Sequence, residues 1–247
     1  MSDAFRRDLA ARFGSALHFF ESIGSTQREA LAAATGGAPE GSLFVAEQQT
    51  AGRGRHGHIW ISPPGAGIYA SLLLRPRRPV NKLLWLTLAA GLAVAGAVQQ
   101  VCGVEAEIRW PNDLLLEGKK FCGLLIESDR GAAALGFGIN TSPAALPPEL
   151  SEIATFLPCD RSELCIAVVD SLLQRYAAWN AGDDEAIREE FERRSGYARG
   201  LAVTVDAAWS GVTEGLDGDG FLRVRTPDGS IRTVVSGNVR PASATAN

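Results

Sequence analysis

The sequence predicts an α+β chain in two parts: helices interleaved with strands first, then a small β-barrel. Three observations carry this. Apolar residues recur at helical spacing in the first four-fifths of the chain, with Leu164, Val168, Leu172 and Leu173 on one stripe. Short β-branched and aromatic runs fall between those helices. After Gly196 the helical pattern stops, and five brief strands follow, divided by the turn sequences Gly218-Asp219-Gly220 and Pro227-Asp228-Gly229. The organisation read from this is a first unit, residues 1–195, and a second, residues 196–247, with the boundary around Ser195–Arg199.

Taken in order, the N-terminal MSDAFRRDLAARFG is charged and helical in pattern and lacks the apolar core of a signal peptide. Thr26 followed by Glu29 reads as a capping box opening an Ala-rich helix that ends near Gly36. The apolar run Leu83–Val98 falls short of the ~20 residues of a membrane span and contains Thr87, Gly91 and Gly96, which predicts a buried helix packed closely on a sheet. Asp160 with Glu163 starts a further helix ending at Gly182, and another runs from Asp183 or Asp184 to Gly196. Strands are expected at Ser42–Ala46, Gly67–Leu74, Glu107–Trp110, Leu124–Ser128 and Ala133–Gly138. Those of the barrel are expected at Leu201–Val205, Trp209–Glu214, Phe221–Arg225, Ile231–Val234 and near Val239, with the tail Pro241–Asn247 frayed.

Composition excludes several classes. With 247 residues, 46% hydrophobic and 21% charged, the chain is neither disordered nor collagen-like. A net charge of −4 and a pI near 5.5 leave no basic surface for nucleic acid, so any anion site must be local. Cys102, Cys122, Cys159 and Cys165 form no C-x-x-C pair, and reduced thiols in a cytoplasmic protein are expected.

Two segments carry chemistry. In Gln49-Thr50-Ala51-Gly52-Arg53-Gly54-Arg55-His56-Gly57 the glycines fit G-x-G-x-x-G, but Pro63-Pro64 follows where a dinucleotide fold needs a helix, and no acid stands where the ribose partner belongs. What remains is a glycine loop holding two arginines, whose forks can grip a phosphate or carboxylate as a mobile clamp; a flexible surface loop with incidental charge is the plainer alternative. The second segment, Arg109-Trp110-Pro111-Asn112-Asp113 through Gly118 to Lys119-Lys120-Phe121-Cys122-Gly123, reads as a hairpin with polar groups at one end. Lys120 opens an apolar strand, from which an ammonium can reach an anion over the sheet, or it is one of two solvated turn lysines.

Together with Ser25-Thr26-Gln27 and Gly136-Phe137-Gly138-Ile139-Asn140, these segments stand in the order and spacing of the biotin protein ligases, and the chain resembles that family from about Phe19 to Arg240. The resemblance implies a mixed sheet with helices on one face and an SH3-like C-terminal barrel. It implies a biotinyl-adenylate formed from biotin and MgATP, then transfer to a lysine of a biotin carboxyl carrier domain such as that of acetyl-CoA carboxylase. It places biotin against Ser25, Thr26, Gln27, Gln49, Gly54 and Gly123, and ATP against Trp60, Asn112, Asp113 and Asn140. Arg53, Arg55 and Lys120 would serve the carboxylate and α-phosphate, and Asp113 would partner Arg55 or Mg²⁺. Gln27 replaces the family's usual Asn, and Arg109 its usual Lys, which exchanges a point charge for a fork. Three other readings compete: a lipoate or octanoate ligase, which needs a long apolar tunnel; a non-catalytic binding protein; and a repressor, for which the segment ahead of Glu21-Ser22 is too short to hold a helix-turn-helix. Monomer and homodimer both fit.

Overall fold

The computed structural model describes residues 2–242. The first part runs α1 (Ser2–Phe13), β1 (Leu17–Phe20), α2 (Thr26–Thr35), β2 (Leu43–Ala46), β3 (Gly67–Leu74), α3 (Leu83–Cys102), β4 (Glu107–Arg109), β5 (Asp113–Leu116), β6 (Lys119–Asp129), β7 (Ala132–Asn140), α4 (Arg161–Asn180) and α5 (Asp184–Arg194). The second part holds β8 (Arg199–Val205), β9 (Trp209–Leu216), β10 (Leu222–Arg225), β11 (Ile231–Val234) and β12 (Val239–Pro241).

Strand order in the seven-stranded sheet is β1-β2-β3-β7-β6-β5-β4, with β1 parallel to β2 and every other neighbour antiparallel, so the sheet is mixed. The second sheet, β11-β10-β9-β8-β12, is wholly antiparallel and is the small SH3-like barrel expected. The fringe of the expected tail enters β12 through Pro241, and residues 243–247 lie outside those described.

Side chains alternate across a strand, so each strand divides its residues between two faces. One face of the large sheet is bulky: Leu43, Val45, Ile68, Leu72, Leu74, Leu124, Leu135, Phe137 and Ile139 pack in one core with α3 and α4. The other face is small along β7 and at Ser71 of β3. It presents Ser71, Ala132, Ala134, Gly136 and Gly138, and only α2 packs there, through Ala30 against Phe44, Leu73, Ala132 and Ala134. Helices thus flank both faces, with α2 alone on the small one. Beyond the end of α2, the absence of side-chain bulk leaves space above β6 and β7.

Local chemistry explains most element ends. Asp160 caps α4 by accepting from the amides of Ser162 and Glu163 at 2.9 Å each. Glu117 and Gly118 both take positive φ, 51° and 76°, the conformation of a two-residue hairpin turn between β5 and β6. Gly91 of α3 would place a Cβ 3.3 Å from Ile108, which is the close helix-on-sheet approach its small size suggested.

Three expectations need correction. Thr26 is not the cap of α2: Ser25 holds the N-cap position without a side-chain bond, and the Thr26 hydroxyl turns to Ser71 at 2.9 Å. A tertiary partner outcompeted the local one. The apolar run extends to a 20-residue helix, α3, which is long and apolar enough to cross a membrane, yet it lies in the core against the sheet and α4. Finally, Cys102 and Cys159 are joined in a disulfide, with Cα atoms 5.9 Å apart. Helices α3 and α4 pack antiparallel, Trp179 Nε1 at the end of α4 donating to the carbonyl of Lys82 at the start of α3, so the opposite ends carry the two cysteines together. Cys122 and Cys165 are free and buried, as expected of small hydrophobes.

Candidate active site

A cavity of about 420 Å³ opens on the small face of the large sheet, and every residue singled out from the sequence for the site lines it. Its floor is glycine by necessity. A Cβ on Gly138 would stand 2.4 Å from the Trp60 ring, and one on Gly123 would stand 3.0 Å from both Trp60 and the Lys120 ammonium. A Cβ on Gly136 would meet the Gln27 amide oxygen at 2.4 Å.

One end of the cavity is neutral and polar. The Gln49 side-chain carbonyl accepts the first helical amide of α2, from Thr26, at 2.9 Å, so a residue following β2 caps a helix from a distance. The Gln49 amide nitrogen donates to Ser62 at 3.0 Å, and Ser62 donates on to the Trp60 carbonyl. Ser71 contacts both Thr26 and Gln27, while Gln27 Nε2 donates to the carbonyls of Leu125 and Ala134. Gln27 therefore spends its donors on the backbone of β6 and β7 and closes this end. The Ser25 hydroxyl is buried and has no partner among the described residues, so it is free to meet a bound group.

The other end is cationic. Lys120 Nζ and Arg109 Nη2 each lie 2.6 Å from a different oxygen of Asp113. Burial alone pushes this carboxyl up, but the two cations outweigh it and hold Asp113 below its ordinary range. Lys120 also lies 5.2 Å from the centre of the Trp60 ring, within cation–π range. Arg240 reaches the same space from β12, and burial followed by the neighbouring Arg109 lowers its pKa.

The glycine-arginine loop folds over the cavity as a miniature hairpin. Gly54 donates to His58 at 2.7 Å and Trp60 to Gly52 at 3.0 Å, with His56 and Gly57 turning at φ 54° and 77°. Gly52 is required there, because a Cβ would fall 2.3 Å from the Trp60 carbonyl. At the tip, Arg55 donates to Asn112 Oδ1 at 3.0 Å, and His56 meets Ser236, in the loop between β11 and β12, at 3.1 Å. Arg53 turns outward and forms a two-pronged pair with Glu127 of β6, at 3.0 and 3.2 Å.

A neutral polar pocket and a cationic pocket joined across a glycine floor, under an arginine-bearing loop, suit a ligand with a polar uncharged head and an acidic tail, beside a second anion. Comparison with known proteins points the same way. The family model "Biotin/lipoate A/B protein ligase family" matches residues 19–142, and "Biotin protein ligase C terminal domain" matches residues 199–239. The chain belongs to the biotin/lipoate A/B protein ligase family. It is 34% identical over 244 residues to a bifunctional ligase/repressor of Bacillus subtilis, covering 92% of this chain and 74% of that one. It is 35% identical to the biotin--[acetyl-CoA-carboxylase] ligase of Paracoccus denitrificans, covering 83% and 92%. Among solved structures it resembles the biotin protein ligase of Aquifex aeolicus in complex with biotin and ATP, with a TM-score of 0.81 at 28% identity over 92% of this chain and 99% of that one.

In this member of the ligase family the residues named from the sequence line one cavity, with Arg53 turned out to Glu127 and one expected pairing exchanged. Asp113 pairs with Lys120 and Arg109, and Arg55 takes Asn112 instead, because Asn112 projects its carbonyl toward the loop while its amide is tied to Leu124 at 2.9 Å. In this arrangement both oxygens of Asp113 are engaged by cations, one by Lys120 and one by Arg109. Asn140 is likewise engaged, donating to Thr155 at 3.1 Å. Sequence reasoning passed over Ser71, Ser62 and Glu127, and it quoted Gly136 and Gly138 without a role. A signal existed for the floor: Ala132, Ala134, Gly136 and Gly138 alternate as small residues along β7, at the period that places them on one face.

Proposed function

We infer that the protein is an ATP-dependent biotin protein ligase. It joins biotin to AMP and then transfers biotin to a lysine of a biotin carboxyl carrier domain. The observation that carries this reading is the division of one cavity into a neutral end, at Ser25, Thr26, Gln49 and Ser71, and a cationic end, at Lys120, Arg109 and Arg55. A urea offers one acceptor and two donors without charge, which matches hydroxyls and a primary amide. The carboxylate at the far end of the same molecule then falls among the cations.

In the first step a biotin carboxylate oxygen attacks the α-phosphorus of ATP, the bond from that phosphorus to the β-phosphate oxygen breaks, and pyrophosphate leaves. Two anions must meet, so the barrier is one of charge and position. Lys120 and Arg55 supply the charge. Mg²⁺ enters on the phosphates as part of the substrate. Lys120 moves from Asp113 to the incoming anions, and Asp113 with Arg109 marks where the ammonium waits. In the second step the carrier amine attacks the acyl carbon, AMP leaves, and the amine loses a proton. Between the steps the mixed anhydride must be kept from water, which is the work assigned to the loop from Gly52 to Trp60. Trp60 bridges the two ends and presents an aromatic face for adenine, and Asn112 and Asn140 hold the adjoining backbone in place.

We assign the carrier to the acetyl-CoA carboxylase type and the working compartment to the cytoplasm, where ATP and apo-carrier are available. The deciding experiment is incubation with biotin and MgATP followed by mass spectrometry for biotinyl-5′-AMP, with lipoate and octanoate in parallel. Adenylate from biotin alone is the expected result. Adenylate from lipoate or octanoate in preference would overturn the substrate assignment.

A further inference from the structure

The nucleotide half of the cavity is walled by a segment with little regular secondary structure. Between the end of β7 at Asn140 and the cap of α4 at Asp160 the chain has only short 3₁₀ turns, and Leu146, Leu150, Ile153 and Ala154 from it line the cavity. It is seated by Leu157, which is buried in the main core, by the Lys119 ammonium on the Ser151 carbonyl at 2.8 Å, and by a run of bonds to two site residues. Lys120 donates its amide to Ile153 and accepts from Thr155, both at 2.9 Å, while Asn140 accepts from Leu157 at 2.9 Å and donates to Thr155 at 3.1 Å. Two residues further on, Cys159 is bonded to Cys102 at the end of the core helix α3. The disulfide is thus the covalent anchor of the wall, closing a loop of sequence separation 57.

We propose that Cys102 and Cys159 are a reversible thiol–disulfide pair that tunes the nucleotide half of the site, oxidation holding the wall for ATP and reduction loosening it. The proposal rests on the assignment of that half to ATP. The pair is half-buried and so within reach of a small reagent, whereas Cys122 and Cys165 are fully buried and burial pushes their thiols up. Reaction is therefore confined to one pair. In the forward direction one cysteine thiolate attacks a low-molecular-weight disulfide and releases one reagent thiol. The second cysteine then displaces the other, leaving the protein disulfide and two reagent thiols that carry the two protons. The neutral end of the cavity is insulated from this change, because Ser25, Thr26, Gln49 and Ser71 are held by α2, β3 and each other, without a bond to the wall.

The test uses the full-length protein equilibrated in oxidised or reduced glutathione, with hydrogen exchange of the peptide covering 150–159 and the KM for ATP measured in each state. Reduction is expected to speed exchange at Thr155 and Leu157, to raise the KM for ATP roughly fivefold, at the low end of coupling between sites, and to leave the Kd for biotin unchanged. The C102S/C159S variant should match the reduced protein in both buffers, and wild type alone decides the matter if that variant does not fold. Equal exchange in the two states would overturn the proposal, as would an equal shift in biotin and ATP. Pyrophosphate release absent from both states would instead overturn the enzyme assignment, with exchange still deciding whether the disulfide holds the wall.

Discussion

Lys120 and Arg55 are both cations aimed at the same space, yet they are held differently, and the difference separates their roles. Lys120 projects from the first turn of a core strand and is parked on Asp113 at 2.6 Å, so it is in place before any ligand arrives. Arg55 sits at the tip of a loop, on the side-chain carbonyl of Asn112. Lys120→Ala should therefore suppress biotin-dependent pyrophosphate release by about a hundredfold or more, the scale seen when one preorganised charge donor is lost. Arg55→Ala should still bind biotin, should form adenylate more slowly, and should release it to solution. Retention of adenylate by Arg55→Ala, measured by filtration and mass spectrometry, would remove the lid role from this loop. Asp113 makes a further prediction, of stability. Its folded pKa lies below the roughly 3.9 of an unfolded Asp, so it adds stability that is present above about pH 4 and lost as pH falls through the folded value. Asp113→Asn should cost about 3 kcal/mol at pH 7 by leaving buried Arg109 and half-buried Lys120 without their counter-ion. Urea midpoints of the two proteins should begin to converge as pH falls below about 4 and continue to do so through the folded pKa of Asp113.

At the scale of elements, the site is a property of strand β7 as much as of any charged residue. Gly136 and Gly138 point to the same face two residues apart, yet one lies beneath Gln27 and the other beneath Trp60. Alanine at each should separate the two ligands. Gly136→Ala is expected to weaken biotin binding, and Gly138→Ala to weaken ATP binding by displacing the Trp60 ring, each by about tenfold, within the range of overpacking costs. Calorimetric titration of both variants with both ligands checks the cross. This floor was legible in principle, as alternation of small residues along Ala132–Gly138, but small residues carry no chemistry of their own and were passed over. The strands themselves were legible because β3, β6 and β7 are long and apolar. Strand β1 was missed because Leu17–Phe20 is short and half-buried at a sheet edge, where periodicity is faint.

Across the whole molecule, the two sheets share one core. Val203, Val205, Leu216, Leu222 and Val224 of the second sheet belong to the same apolar cluster as α3, and Trp110 Nε1, next to the site, donates to the carbonyl of Gly220 at 3.0 Å. Gly220, at φ 85°, fits against Trp85 and Leu88 of α3 with a would-be Cβ 3.3 Å from each, so a side chain there would be strained and crowd α3. The barrel is expected to unfold with the larger sheet in a single calorimetric transition, and two resolved transitions would contradict this. Trp110→Phe should lower stability by about 1 kcal/mol, the net worth of one buried hydrogen bond. If Arg240 serves the site only while the barrel is docked, the same variant should also raise the KM for ATP.

The sequence by itself determined what depends on local periodicity and on rare residue combinations: the two-part α+β organisation, the buried helix α3, the Asp160 cap, the hairpin at Glu117-Gly118, and the glycine-arginine loop with its lysine and tryptophan. Tertiary structure decided the partners. Thr26 forsook its cap for Ser71, Asp113 took Lys120 and Arg109 rather than Arg55, and Cys102 met Cys159 because antiparallel helices brought distant ends together. The physical reason is one of range. Propensity and capping act within a few residues and leave a pattern along the chain, whereas a hydrogen bond or ion pair acts over about 3 Å in space between groups whose separation along the chain is arbitrary, so only the packed sheet and helices select among the many partners each polar residue can accept.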